Sequence, residues 1–92
     1  MKESVGVVET RGLVASIAAA DAMTKAAKVS IKEFRFVGSG LVAVVVAGEI
    51  AAVQAAVDSG RQAADKIAEV VSCNVIANPH KEVEKLMQRG DA

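Results

Sequence analysis

The sequence predicts an α+β fold, a sheet of four short strands with a helix inserted after the first and after the third. Three observations predict it. Two apolar runs meet at Gly38-Ser39-Gly40, as two strands joined by a turn do. The second run, Leu41, Val42, Ala43, Val44, Val45, Val46 and Ala47, contains no polar residue and is bounded by glycine, which marks a buried strand. Two alanine-rich stretches, residues 13–27 and 49–66, each lie between strand-like runs and repeat at helical spacing.

Residues 4–10 (SVGVVET) read as the first strand, which Gly12 breaks. The first helix follows over 13–27, with Leu13, Ile17, Ala20 and Thr24 along one side. Asp21 and Lys25 stand four apart in the favourable acid-then-base order. Such an exposed pair contributes only about 0.3–0.5 kcal/mol, so stability alone does not account for Lys25. Residues 29–36 form the second strand. Its apolar phase slips, with Val29 and Ile31 on one face and Phe34 and Phe36 on the other, and a bulge near Lys32-Glu33 reconciles them. Gly48 ends the third strand and is placed to cap the second helix. That helix carries Ile50, Val53 and Val57 on one side and a stripe of small residues, Ala52, Ala56, Gly60, Ala63 and Ala64. Gly60 costs about 1 kcal/mol inside a helix, which predicts a close backbone approach there. Residues 70–77 form the fourth strand. Asn78-Pro79 opens a short last helix, docked by Val83, Leu86 and Met87. The order β-α-β-β-α-β is the split βαβ, ferredoxin-like arrangement with a four-stranded antiparallel sheet.

The wholly apolar third strand implies burial on both faces. Helices cover one face of so small a sheet, so the other face, or the strand edge, is expected to meet a second copy of the chain.

Composition excludes several classes of function. The chain is 52% apolar but 2% aromatic, so its core must be built from alanine, valine and isoleucine. Its formal net charge is +0, against the excess of Lys and Arg that phosphate binding needs, and no aromatic is placed for base stacking, so no nucleic-acid partner is expected. No apolar run approaches the roughly 20 residues that span a bilayer, so no membrane partner is expected. Met1-Lys2-Glu3-Ser4 leads straight into a strand, so no signal peptide is expected. The single cysteine, Cys73, suits a reducing cytoplasm and reads as a buried structural thiol.

No catalytic constellation emerges. Cys73 and the lone His80 fall in different elements, and no metal-ligand spacing is present. The Gly-Ser-Gly turn lacks the lysine and following helix of a phosphate-binding loop, so no cofactor is expected. That turn is either a plain hairpin connection or a place where something polar passes close to bare backbone.

Four motifs, in order and at matching spacing, make the chain resemble the single-domain, hexamer-forming bacterial microcompartment (BMC) shell proteins. They are Gly6-Val7-Val8-Glu9-Thr10-Arg11-Gly12-Leu13, Ala19-Ala20-Asp21-Ala22-Met23-Thr24-Lys25-Ala26-Ala27, Val37-Gly38-Ser39-Gly40-Leu41-Val42 and Pro79-His80. The resemblance covers nearly the whole length. It implies one BMC domain over 1–92 with a frayed tail at 88–92, no enzymatic activity, and a location in the shell of a cytoplasmic microcompartment. It also implies a flat homohexamer that tiles with other shell paralogues around enclosed enzymes, whose targeting peptides are further possible partners. Gly38, Ser39 and Gly40 from six subunits would ring a central pore for small polar metabolites. Lys25, Lys28, Asn78, Pro79 and His80 would make contacts at the hexamer edge.

The chain departs from the family pattern where basic residues are usual. Asn78 replaces an edge arginine, Phe36 replaces a lysine before the pore loop, and Ala47-Gly48-Glu49 replaces Arg-Gly-Asp. Asn78 is uncharged and cannot make a bidentate contact. The expectation is ready hexamers, weak sheets, and entry into shells by mixing with paralogues. Two other readings share the fold. A trimeric metabolite sensor calls for a long loop and a basic pocket, and an acylphosphatase-like enzyme calls for a glycine-rich arginine cradle; the sequence shows none of these.

Overall fold

A computed structural model describes residues 3–77. The elements are β1 (Ser4–Arg11), α1 (Leu13–Ala26), β2 (Ser30–Gly38), β3 (Leu41–Gly48), α2 (Ile50–Asp65) and β4 (Val70–Ile76). They form one four-stranded sheet of order β2-β3-β1-β4, antiparallel throughout. This is the predicted ferredoxin-like arrangement. The helix expected from Asn78, with its docking residues Val83, Leu86 and Met87, and the tail at 88–92 lie outside the described residues.

Strand alternation sorts the sheet into two faces. Gly6, Val8 and Thr10 of β1 stand beside Val46, Val44 and Val42 of β3 on the face that carries the helices. β2 joins this face through a register shift between Ile31 and Glu33, which sets Ile31, Phe34 and Phe36 opposite Val46, Val44 and Val42. The phase slip in the sequence is therefore a bulge at Lys32, as its pattern requires.

Small residues govern how the helices lie. A Cβ at Gly6 would come within 2.5 Å of Val57 Cγ2 and 2.8 Å of Val53 Cγ1, so α2 rests directly on bare backbone of β1. A Cβ at Gly60 would meet Met23 Cγ at 2.6 Å, so α1 and α2 approach at the glycine where the sequence calls for a close contact. Val53, Ala56, Val57, Gly60 and Ala64 are buried along α2, as its apolar side and small stripe predict. The result is a thin plate of 34 × 28 × 16 Å.

Two expectations need correction. The inward side of α1 is Ala15, Ser16, Ala19, Ala20 and Met23, whereas Leu13, Val14 and Ile17 are 44%, 68% and 52% exposed. Close packing against α2 and the sheet admits small residues and the unbranched Met23, which lies against Gly60, while Leu13, Val14 and Ile17 turn outward. The second correction concerns β3, which is an interior strand. All residues of 42–48 are buried, on both faces, within the single chain. The sheet face therefore does not require a second copy, and among the described residues the exposed large apolar side chains lie on α1, at the hairpin end of β2 (Phe36 and Val37), at Ile31, at Ile67 and along β4 (Val71, Val75 and Ile76). A smaller difference is that the helix-capping position belongs to Glu49, while Gly48 is closed in by the Lys28 carbonyl and Val29.

Gly6→Ala drives a methyl into two stiff β-branched side chains and is expected to cost about 1–3 kcal/mol in urea unfolding. Ser16→Ala is the contrasting case. The Ser16 hydroxyl is fully buried with no hydrogen-bond partner among the described residues, so its removal is expected to leave stability unchanged or raise it by up to about 1 kcal/mol.

Candidate functional site

The candidate site is the hairpin tip between β2 and β3. Gly38, Ser39 and Gly40 take φ values of 97°, 54° and 78° in succession. Ser39 and Gly40 form the two-residue connection, with left-handed backbone at both central positions, the geometry whose twist matches that of antiparallel strands. Nothing lies within 4 Å of a Cβ built at Gly38 or Gly40. Within one chain these glycines answer a need for backbone conformation, whereas Gly6 and Gly60 answer a need for space. Ser39 is exposed at the apex.

The tip is held by the corner between β1 and α1. The Gly12 N–H donates to the Gly40 carbonyl at 2.7 Å, and the buried Thr10 hydroxyl donates to the Gly12 carbonyl at 3.1 Å. Gly12 itself has φ 97°. On the other side of the corner, the Arg11 N–H donates to the Glu69 carbonyl at 3.0 Å, and Arg11 Nε reaches Glu69 Oε1 at 2.8 Å. One corner thus ties the hairpin tip to the turn between α2 and β4. Sequence reading took Gly12 only as a strand breaker and missed this tie. Its bonds join residues far apart in the chain, and the sole local signal is a glycine at a strand-to-helix step.

Of the predicted edge residues, Lys25 and Lys28 lie at the far end of the plate. Lys25 is exposed in the last turn of α1 and pairs with Asp21 at 2.9 Å. α1 starts beside the hairpin tip, and its 14 residues rise about 20 Å, so Lys25 stands well away from Ser39. Lys28 is exposed in the link to β2, at the Gly48 end of β3 and so opposite the tip. A half-open groove of about 450 Å³ lies at this end, lined by Lys28, Val29, Gly48 and Glu49 among others. Asn78, Pro79 and His80 lie outside the described residues.

The chemistry available is that of a surface. Cys73 packs against the core, and desolvation by burial raises its thiol pKa, partly opposed by the Arg61 charge. A thiol held protonated is a poor nucleophile. Among the described residues no three His, Cys, Asp or Glu side chains gather to hold a metal, and no helix is long and apolar enough to cross a membrane.

Comparison with known proteins agrees with this geometry. The family model described as BMC domain matches residues 4–79. The bacterial microcompartment shell protein PduA of Citrobacter freundii is 48% identical over 89 residues, covering 97% of this chain and 96% of its own. The carboxysome shell protein CsoS1C of Hydrogenovibrio crunogenus is 49% identical over 90 residues, covering 97% of this chain and 88% of its own. A solved structure of a microcompartments protein from Desulfitobacterium hafniense DCB superposes with a TM-score of 0.82 at 35% identity, over 97% of this chain and 48% of that longer one. A domain match over most of the chain, with relatives of near-equal length at almost half identity, shows that the chain belongs to the BMC-domain family of microcompartment shell proteins.

Proposed function

We infer that this protein is a structural tile of a bacterial microcompartment shell, and we propose that six copies close into a flat ring with the hairpin tips at its centre and Lys25 and Lys28 at its rim. The observation that carries the ring is the placement of open apolar surface. Leu13, Val14 and Ile17 of α1 and Phe36 and Val37 of β2 are exposed toward the end of the plate that holds the tip, and Val14 and Phe36, at 68% each, are the most exposed large apolar side chains among the described residues; Ile31, Val75 and Ile76, exposed to a lesser degree, lie toward the other end. Such surface on a neutral chain favours contact with another copy. Lys25 and Lys28 stand exposed at the opposite end. A plate 16 Å thin has the shape of a tile, and family membership gives the shell. Nothing in the described residues assembles an acid–base pair or an activated nucleophile, and the relatives are shell proteins rather than enzymes.

In this arrangement the tip works by physics. Six Ser39 hydroxyls and the neighbouring backbone form a narrow polar constriction. Small polar or anionic solutes exchange part of their hydration there, and bulkier ones are held back. The open space around Gly38 and Gly40, empty in one chain, is the space through which neighbouring tips face each other. The proposed macromolecular partners are further copies, other shell paralogues and amphipathic targeting helices of enclosed enzymes.

Light scattering on the purified chain is expected to give about 56 kDa, six times 9.4 kDa; a monomer or trimer would overturn the ring. Electron microscopy of the same sample is expected to show isolated hexamers, with Asn78→Arg promoting sheets or tubes through a restored charge at the seam. Extended sheets from the unaltered protein at physiological salt, or no response to the substitution, would remove Asn78 as the cause of weak tiling. At the tip, Ser39→Asn tolerates the left-handed backbone and should retain stability within about 0.5 kcal/mol. Ser39→Leu is strained there, costs about 1–2 kcal/mol without unfolding the chain, and should slow solute passage through intact shells. Unchanged passage in the leucine variant would refute the transport role.

A further inference from the structure

The Arg11–Glu69 pair is a charged feature beside the tip to which the tile reading gives no role. Arg11 lies opposite Leu41, the residue that follows the tip, and its neighbour Gly12 donates to Gly40 at 2.7 Å. Antiparallel partners stand about 4.5–5.5 Å apart and chain neighbours 3.8 Å, so Arg11 Cα is within roughly 9 Å of Gly40 Cα. That is about one Debye length at physiological salt, close enough for a net charge to be felt at the tip. By strand alternation Arg11 projects from the sheet face opposite α1 and α2, on the same side as Glu9.

The pair is not needed to hold the corner. Its members are 56% and 64% exposed, a setting where an ion pair is worth about 0–1 kcal/mol. The backbone bond from Arg11 N–H to the Glu69 carbonyl already ties the same two segments. What the side chains do set is charge. Paired, they present a short-ranged dipole. With either one neutralised, each subunit presents a whole charge beside the tip.

We propose that the Arg11–Glu69 pair sets the ionic selectivity of the passage, keeping its mouth electrically balanced so that small anions and cations are not strongly separated. This rests on the proposed ring, which gathers six such pairs around one opening. Among the described residues of this face, Arg35 pairs with Glu33 at 2.9 Å, whereas Glu9, which accepts from the Ser72 hydroxyl at 3.2 Å, keeps its charge and stands further from the tip, opposite Ala43. Neutralising Glu69 therefore shifts the ring by six charges in the positive direction, and neutralising Arg11 shifts it by six in the negative direction.

The test uses complete shells containing this chain, with a fluorophore sealed inside, and compares quenching by iodide and by caesium. At ~10 mM salt, Glu69→Gln is expected to raise the iodide-to-caesium rate ratio about five-fold and Arg11→Gln to lower it by a similar factor, with both effects fading near ~1 M salt. The charge-swapped double variant, Arg11→Glu with Glu69→Arg, should return the ratio close to its original value. If Arg11→Gln shells do not assemble, Glu69→Gln decides alone. Ser39→Leu distinguishes the two levels of the reading. If it slows both quenchers while the ratio ignores Glu69, the selectivity role fails and the passage stands. If it slows neither quencher, the passage fails and the selectivity role fails with it.

Discussion

The whole molecule depends on how closely its helices lie on the sheet and on each other. At Gly6 there is no room for even a methyl group beneath Val53 and Val57, and at Gly60 none against Met23. Dense interiors forfeit dispersion contacts when surfaces separate by even half an ångström, so these two bare backbones set the spacing of the layers. The consequence reaches beyond stability. Little room is left between the layers, so α1 gives Ala15, Ser16, Ala19, Ala20 and, against the bare backbone of Gly60, Met23 to the core and turns Leu13, Val14 and Ile17 outward. Thinness and an apolar flank have one cause, and both are what a laterally associating plate requires.

The hairpin tip shows a second economy. A two-residue turn is short and loses little entropy, but an isolated hairpin is marginal in water. Here β3 is fixed as an interior strand between β2 and β1, and the Gly12–Gly40 bond fastens the tip itself. The buried Thr10 hydroxyl in turn fixes the Gly12 peptide. Ser39 therefore stands on a rigid support, although it is itself exposed. A size-selective constriction needs this separation. In the proposed ring, the residue that would meet the solute is free of core duty, and the residues that position it are set back from the opening.

Local pattern carried most of the fold. Alternation, glycine punctuation and alanine-rich helical spacing place all six described elements, and the slip between Ile31 and Phe34 locates the bulge. What local pattern missed follows from competition between surfaces. Leu13 and Ile17 lie on one side of α1 and read as a core stripe, but the core is decided by which face can approach Gly60 and the sheet. Likewise, residues 41–47 show that a strand is buried on both faces without showing what buries them. The tip was legible as a turn with bare backbone. Its role came from the order and spacing of four motifs, since no single residue there has chemistry of its own. The Gly12–Gly40 and Arg11–Glu69 contacts pair distant positions and leave no periodic trace.

The two kinds of contact that the proposed assembly uses differ in physical character, and that difference orders the assembly. The flank beside the tip is apolar, so association through it is driven by burial and is strengthened by excluded salts. The far end carries Lys25, whose one short contact is to Asp21 on its own helix, and Lys28. Exposed ion pairs of this kind contribute at most about 1 kcal/mol each and weaken as salt is added. A ring held by the first kind of surface outlasts a seam held by the second. Closed rings are then the stable intermediate, and lateral tiling is the reversible step. In the proposed assembly, Asn78 in place of the usual arginine would act on the weaker of the two contacts, where a single charge is a large share of the total. A chain built this way enters a shell most readily beside paralogues that supply the missing charge from their own side of the seam.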